Sequence, residues 1–62
     1  MKATYKKEEN AISAARNQWE TTGEMPIILK GAQGYLVLRS HKQAYKLISE
    51  QGYENLTRWW NS

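Results

Sequence analysis

A chain of 62 residues with a net charge of +3 and no cysteine excludes several classes of protein at the outset. At this length we expect one domain, 1–62, that hides only about 60% of the surface its unfolded chain exposes. Disulfide frameworks and thiolate metal sites are excluded, and no apolar run approaches the roughly 20 residues of a membrane span or the core of a signal peptide, so we expect a cytoplasmic protein without membrane partners.

The first residues, 1–6, alternate apolar and polar side chains, which predicts either a short edge strand or a frayed leader. The segment 7–22 predicts a helix, because five residues, four of them apolar, recur at helical spacing on one stripe. That stripe consists of Glu8, Ala11, Ile12, Ala15 and Trp19. Trp19 is expected to pack on the sheet, and Gly23 is placed to end the helix in the left-handed conformation.

Two short apolar runs, about 26–30 and 34–39, predict a central antiparallel β-hairpin whose connection carries Gly31 and Gly34. If Lys30 and Tyr35 form the last facing pair, one face of the hairpin is wholly apolar. That face consists of Ile27, Leu29, Leu36 and Leu38. The four-residue connection leaves a one-residue register slip open, and such a slip would exchange the two faces.

The opposite face of the hairpin mixes aliphatic, aromatic and basic side chains. It consists of Ile28, Lys30, Tyr35, Val37 and Arg39. We expect both helices to cover the apolar face and leave this mixed face outward. A face of this composition is typical of a surface that a partner covers, so we predict these five residues as a partner-binding site, with a second copy of the chain or another protein as partner.

A second helix, 41–51, is predicted directly after the hairpin. Ser40 and Gln43 have the spacing of a capping box, in which each side chain satisfies a backbone N–H of the other residue. Its inner stripe is Ala44, Leu47, Ile48 and Gln51, and Gly52 is placed to end it.

The last segment, 53–60, is compatible with a strand or a helix, and its β-forming residues favour the strand. With strands at both ends the order is β-α-β-β-α-β, a small split βαβ sheet; with neither it is α-β-β-α followed by an aromatic tail. Trp59 and Trp60 are adjacent and cannot both face inward. Either one is buried and the other exposed, or both contact a partner.

The inventory of reactive side chains predicts that the protein is not an enzyme. His41 is the single histidine and lies beside Ser40, whose hydroxyl is committed to the helix cap. With no Cys and no Asp, no metal-ligand spacing exists, and Gly31 and Gly34 precede a strand rather than the helix that nucleotide loops require. We therefore predict no catalytic, cofactor or metal site and no small-molecule substrate.

The sequence thus predicts a small binding protein, either a regulatory or an inhibitory factor, that acts through macromolecular contacts on the mixed hairpin face. We favour self-association into a homodimer as the first of these contacts. The alternative is binding of single-stranded nucleic acid, in which a ring stacks on bases while cations meet phosphates. The residues for that role would be Lys30, Tyr35, Arg39, Lys42 and Lys46.

Overall fold

The computed structural model describes residues 4–56 and 58–61 and shows an α+β fold, in which two helices pack on a four-stranded antiparallel sheet. The elements are β1 (Thr4–Tyr5), α1 (Glu8–Thr22), β2 (Ile27–Gly31), β3 (Gly34–Leu38), α2 (His41–Gln51), β4 (Glu54–Asn55) and a 3₁₀ turn at Trp59–Asn61. The predicted α+β class is confirmed, and of the two element orders left open by the sequence the structure has β-α-β-β-α-β. Within the described ranges, no helix is long and apolar enough to cross a membrane.

The hairpin formed by β2 and β3 has the predicted register. Lys30 faces Tyr35, and the pairing continues to Ile27 opposite Leu38. The ladder also includes Gly31 opposite Gly34, so the connection is shorter than the expected four residues. This extra pair removes the freedom for the register slip that a longer connection would have allowed.

Gly34 allows the first strand to join the sheet. Its φ of 140° is a conformation that residues with a side chain rarely adopt. A Cβ at this position would also lie 2.5 Å from the carbonyl oxygen of Tyr5 in β1. The absence of a side chain therefore serves both the turn and the approach of β1 to β3.

The terminal strands occupy the two sheet edges, in the order β1-β3-β2-β4, and each is only two residues long. Of the two alternatives for 1–6, an edge strand or a frayed leader, the structure shows the edge strand at Thr4–Tyr5, and residues 1–3 lie outside the described residues. The predicted strand over 53–60 is confirmed at Glu54–Asn55 but is wrong at Trp59–Asn61, where the backbone forms a 3₁₀ turn.

The helices cover opposite faces of the sheet, which corrects the expectation that both would cover the apolar face. α2 packs on the face that carries Leu29, in a buried cluster of Leu29, Leu36, Leu38, Ala44 and Leu47. α1 packs on the other face, in a buried cluster of Ala11, Ala15, Ile28 and Trp59. The domain is therefore a three-layer sandwich of helix, sheet and helix.

Topology explains this placement. β1 and β2 run parallel with β3 between them, and β3 and β4 run parallel with β2 between them. Both crossovers step in the same direction across the sheet. The pair β1 and β2, however, points in the direction opposite to the pair β3 and β4. Because crossovers between parallel strands are right-handed, the two helices must lie on opposite faces.

The helix ends follow local sequence. Gly23 and Gly52 adopt the left-handed conformation predicted for them. The Ser40 hydroxyl accepts a hydrogen bond from the Gln43 backbone N–H at 3.3 Å, which is the Ser40 half of the predicted capping box. α1 begins after Lys7, whose side chain makes no cap hydrogen bond, so the two helices differ in how they start.

Candidate functional site

The predicted partner-binding residues do not form an open surface. Ile28 is fully buried, and Tyr35 and Val37 are partly buried in the cluster under α1. Lys30 and Arg39 are exposed, but they lie near opposite ends of the hairpin ladder. The mixed face is thus occupied by α1 and Trp59 within the chain itself, because the first crossover places α1 there.

The residues predicted for nucleic-acid binding are also not brought together. Lys30 and Tyr35 lie at the turn end of the hairpin, on the α1 face of the sheet. Lys42 and Lys46 belong to α2, which covers the other face. Arg39 follows the last pair of the ladder. No continuous track of these cations and the one ring exists.

Exposed apolar side chains mark a different site. Among the described residues, the large ones are Trp19 (36% exposed), Met25 (37%), Tyr45 (59%) and Trp60 (37%). Three of these four converge on one cavity of about 220 Å³, which we call the edge groove. The edge groove is lined by Met25, Pro26, Ile27, His41, Tyr45, Asn55, Leu56, Trp59 and Trp60.

The edge groove exists because β4 is too short to cover β2. β4 pairs with Leu29 and Lys30, and the Leu56 backbone N–H then donates to the Ile28 carbonyl oxygen at 2.9 Å. On this outer edge, no described strand pairs with β2 beyond that bond, whereas β3 pairs with the start of β2 on its other side. The chain instead turns into the 3₁₀ segment, which leaves a depression between that segment and α2.

At Pro26, the backbone of the uncovered edge is already accounted for. Pro26 has no N–H to donate, and its carbonyl oxygen accepts a hydrogen bond from Trp59 Nε1–H at 3.2 Å. An incoming strand would find neither donor nor free acceptor at Pro26. A ligand in the edge groove must therefore be recognised mainly by side-chain contacts rather than by strand addition.

The walls of the edge groove are fixed by contacts from three elements. His41 Nε2 lies 3.3 Å from the Met25 carbonyl oxygen, so the Nε2–H tautomer links the start of α2 to the segment before β2. Trp60 meets Trp59 edge to face with ring centroids 6.1 Å apart. Arg16 Nη2 donates to the Trp60 carbonyl oxygen at 3.4 Å, which ties the 3₁₀ turn to α1. These contacts hold the walls of the edge groove together.

Cationic side chains flank the edge groove. Lys42 and Lys46 line a neighbouring depression together with Tyr45. Arg39 lines another depression together with Met25, His41 and Glu24. Within the described residues, Arg39 and Lys42 make no ion pair, and Lys46 has only a solvent-exposed contact of 4.0 Å with Glu50. The electrostatic surroundings of the groove are therefore mainly positive.

The dimensions and chemistry of the edge groove limit what it can bind. Its volume of about 220 Å³ lies below the roughly 300–1,000 Å³ of sites for drug-sized molecules. Within 4–56 and 58–61, no group of three or more His, Asp or Glu is arranged to hold a metal ion. The groove is therefore suited to one or two apolar side chains of a larger partner.

Comparison with known proteins gives no further indication of function. The chain matches no protein-family model, no curated protein and no solved structure at a significant level. The interpretation of the site therefore depends on its geometry and chemistry.

Sequence reasoning missed Met25, Tyr45 and Trp60 as a cluster. Tyr45 lies on the outer stripe of α2 between two lysines, an unusual place for a ring and the one local signal that could have pointed to the site. For the two adjacent tryptophans, the structure confirms that one, Trp59, is buried and the other exposed. Their convergence with Met25 depends on the path of the chain after β4, which local patterns do not encode.

Proposed function

We propose that this protein is a small non-enzymatic binding domain of the cytoplasm that docks a protein partner in the edge groove and acts as a regulatory or inhibitory factor. The observation that carries the proposal is the convergence of Met25, Tyr45 and Trp60, three exposed apolar side chains, on one groove. Isolated exposed apolar residues are ordinary, whereas a contiguous cluster rimmed by polar groups is typical of an interaction site.

The residue types at this site support a protein partner. Trp and Tyr are enriched among residues that dominate binding energy, since they supply large contact areas with few rotatable bonds. Met has a flexible, polarisable side chain that adapts to different apolar surfaces. The mouth of the edge groove therefore combines two rigid anchors with one adaptable contact.

Self-association through this groove is the less favoured form of the proposal. A two-fold dimer would place the same patch of both copies face to face. Lys42, Lys46 and Arg39 of one copy would then lie near the same cations of the other, and like charges across an interface are costly. A partner of different composition avoids that repulsion.

The proposal is tested by selecting peptides from a random displayed library on the immobilised wild-type chain. The affinity of each selected peptide is then compared among wild type, Trp60→Ala and Trp19→Ala. Trp60→Ala removes a wall of the edge groove. Trp19→Ala is the matched control, because Trp19 is equally exposed and also contacts Trp59 edge to face, at 5.9 Å, but does not line the groove. We expect peptides that bind wild type and the Trp19→Ala form but lose at least tenfold in affinity for Trp60→Ala.

Equal binding of every selected peptide to wild type and both variants would refute docking in the edge groove. Sedimentation of the chain without peptide measures its oligomeric state and so tests the dimer alternative. A concentration-dependent dimer that Trp60→Ala disrupts and Trp19→Ala does not would make a second copy the occupant.

A further inference from the structure

We propose that the occupant of the edge groove is an acidic protein segment, in which a large apolar side chain is flanked by Asp or Glu residues. This inference rests on the proposed function and specifies the chemistry of its partner. It follows from two features that lie next to each other, an apolar cavity and the cations of two depressions that share lining residues with it.

The apolar part of the recognition is the cavity itself. Its lining includes the fully buried Pro26 and the partly buried Leu56, together with the exposed Tyr45 and Trp60. A cavity of about 220 Å³ accepts an aliphatic or aromatic side chain, and burying such a side chain contributes roughly 1.5–3 kcal/mol. The segment that docks therefore needs one large apolar residue as its anchor.

The electrostatic part comes from the two depressions that share walls with the edge groove. Tyr45 separates the cavity from Lys42 and Lys46, and Met25 with His41 separates it from Arg39. Glu24 is the acidic residue lining these two depressions, against three cations. A segment whose anchor enters the cavity would extend its neighbouring residues over these cations, so carboxylates on both sides of the anchor complement the rim.

Nucleic acid fits these features less well, although it is also anionic. Single-stranded binders present flat rings on which successive bases stack, along a groove of cations that follows the backbone. The edge groove does contain the rings of Tyr45, Trp59 and Trp60. Trp59 is buried and meets Trp60 edge to face, so these two rings do not form a parallel platform for successive bases, and the cations lie around one pocket instead of along a track. An apolar side chain therefore matches the cavity better than a base does.

The experiment uses the peptides that are selected on the wild-type chain and discriminated by Trp60→Ala. Their sequences report the preferred residues around the anchor. A synthetic peptide with a Leu-Phe pair between runs of Asp and Glu is then titrated at two salt concentrations against wild type, Lys42→Glu and a control, Lys30→Glu. Lys30 is exposed, lies near the hairpin turn and does not line the edge groove. Its replacement by Glu changes the net charge by the same amount as Lys42→Glu.

We expect the selected peptides to be acidic around an apolar anchor. The synthetic peptide should bind about tenfold more weakly to Lys42→Glu than to Lys30→Glu, and high salt should reduce this difference. Peptides that bind more weakly to Trp60→Ala but show no preference for Asp or Glu would overturn the inference and leave the proposed function standing. Selected peptides that do not depend on Trp60 would overturn both. Binding of a labelled oligonucleotide that Trp60→Ala abolishes, with no groove-dependent peptides, would replace the acidic segment by nucleic acid.

Discussion

The two faces of the sheet are buried by different means. On the α2 face, leucines of the hairpin meet a helix that follows them directly in the chain, so the cluster from Leu29 to Leu47 is assembled from neighbouring elements. On the α1 face, the buried residues are two alanines, Ile28 and Trp59, which come from the beginning, middle and end of the chain. One core is local in sequence, and the other depends on the last residues returning to the first helix.

This difference shows how a helix with few large apolar side chains can still cover a sheet. Ala11 and Ala15 are fully buried and allow the backbone of α1 to approach the strands closely. The volume that alanines cannot fill is supplied by Trp59, which also donates its indole N–H to Pro26. Trp59 therefore completes the α1 face and supports the edge groove at the same time.

The largest effect is expected from Trp59→Ala. It removes the aromatic side chain from the α1 face and leaves a cavity, for which we expect a loss of about 3–5 kcal/mol in the free energy of unfolding. That is most of the stability of so small a domain. Urea unfolding followed by circular dichroism measures it. A loss below about 1 kcal/mol would show that α1 stays in place without Trp59.

The second prediction concerns the joining of β1. Gly34→Ala places a Cβ against the Tyr5 carbonyl oxygen and forces a side chain into an unfavourable φ, with an expected cost of roughly 2–3 kcal/mol. Gly23→Ala is the matched control, because Gly23 also has a positive φ but a Cβ there would meet no atom within 4 Å. We expect a cost of about 1 kcal/mol for Gly23→Ala, and equal thermal shifts for both variants would contradict the role of close approach.

The third prediction sharpens the contrast between the two helix starts. Ser40→Ala removes the cap of α2 and should cost about 1 kcal/mol. Lys7 occupies the same position before α1, with φ −115° and ψ 140°, but provides no cap. Lys7→Ser should therefore stabilise the domain by about 0.5–1 kcal/mol. Thermal unfolding of both variants measures the effects, and no gain from Lys7→Ser would mean that the start of α1 is already satisfied.

The smallest effect is expected from the exposed ion pair on α2. Lys46 and Glu50 are 4.0 Å apart, one helical turn from each other, and both are well exposed. Their interaction energy should be under about 0.5 kcal/mol in a double-mutant cycle and should fall further in salt. A much larger value would mean that surface charge, and not only burial, stabilises the α2 layer.

Much of the fold could be predicted from the sequence because its signals are local. The alternation of apolar residues indicates the strands and their facing pairs, down to Lys30 opposite Tyr35. Gly52 and Ser40 mark the ends of α2. Short-range turn and cap chemistry acts within a few residues, so it can be recognised without knowledge of the partner elements.

The site could be predicted only in part. Ile28 and Val37 are recognisable as an apolar patch needing a cover, but the cover is α1 rather than a partner. Trp19 is expected on the sheet, yet it lies exposed against the edge of Trp59. Both outcomes depend on which face each crossover selects, and that depends on the order of all four strands.

The sequence by itself determined the two helices, the two hairpin strands and the scarcity of reactive side chains, because these depend on residue type and spacing alone. The tertiary structure decided which face each helix covers and where exposed apolar side chains meet. The physical reason is that strand order and the handedness of the crossovers act between segments distant in the chain. They bury Ile28 and leave Met25, Tyr45 and Trp60 around one groove.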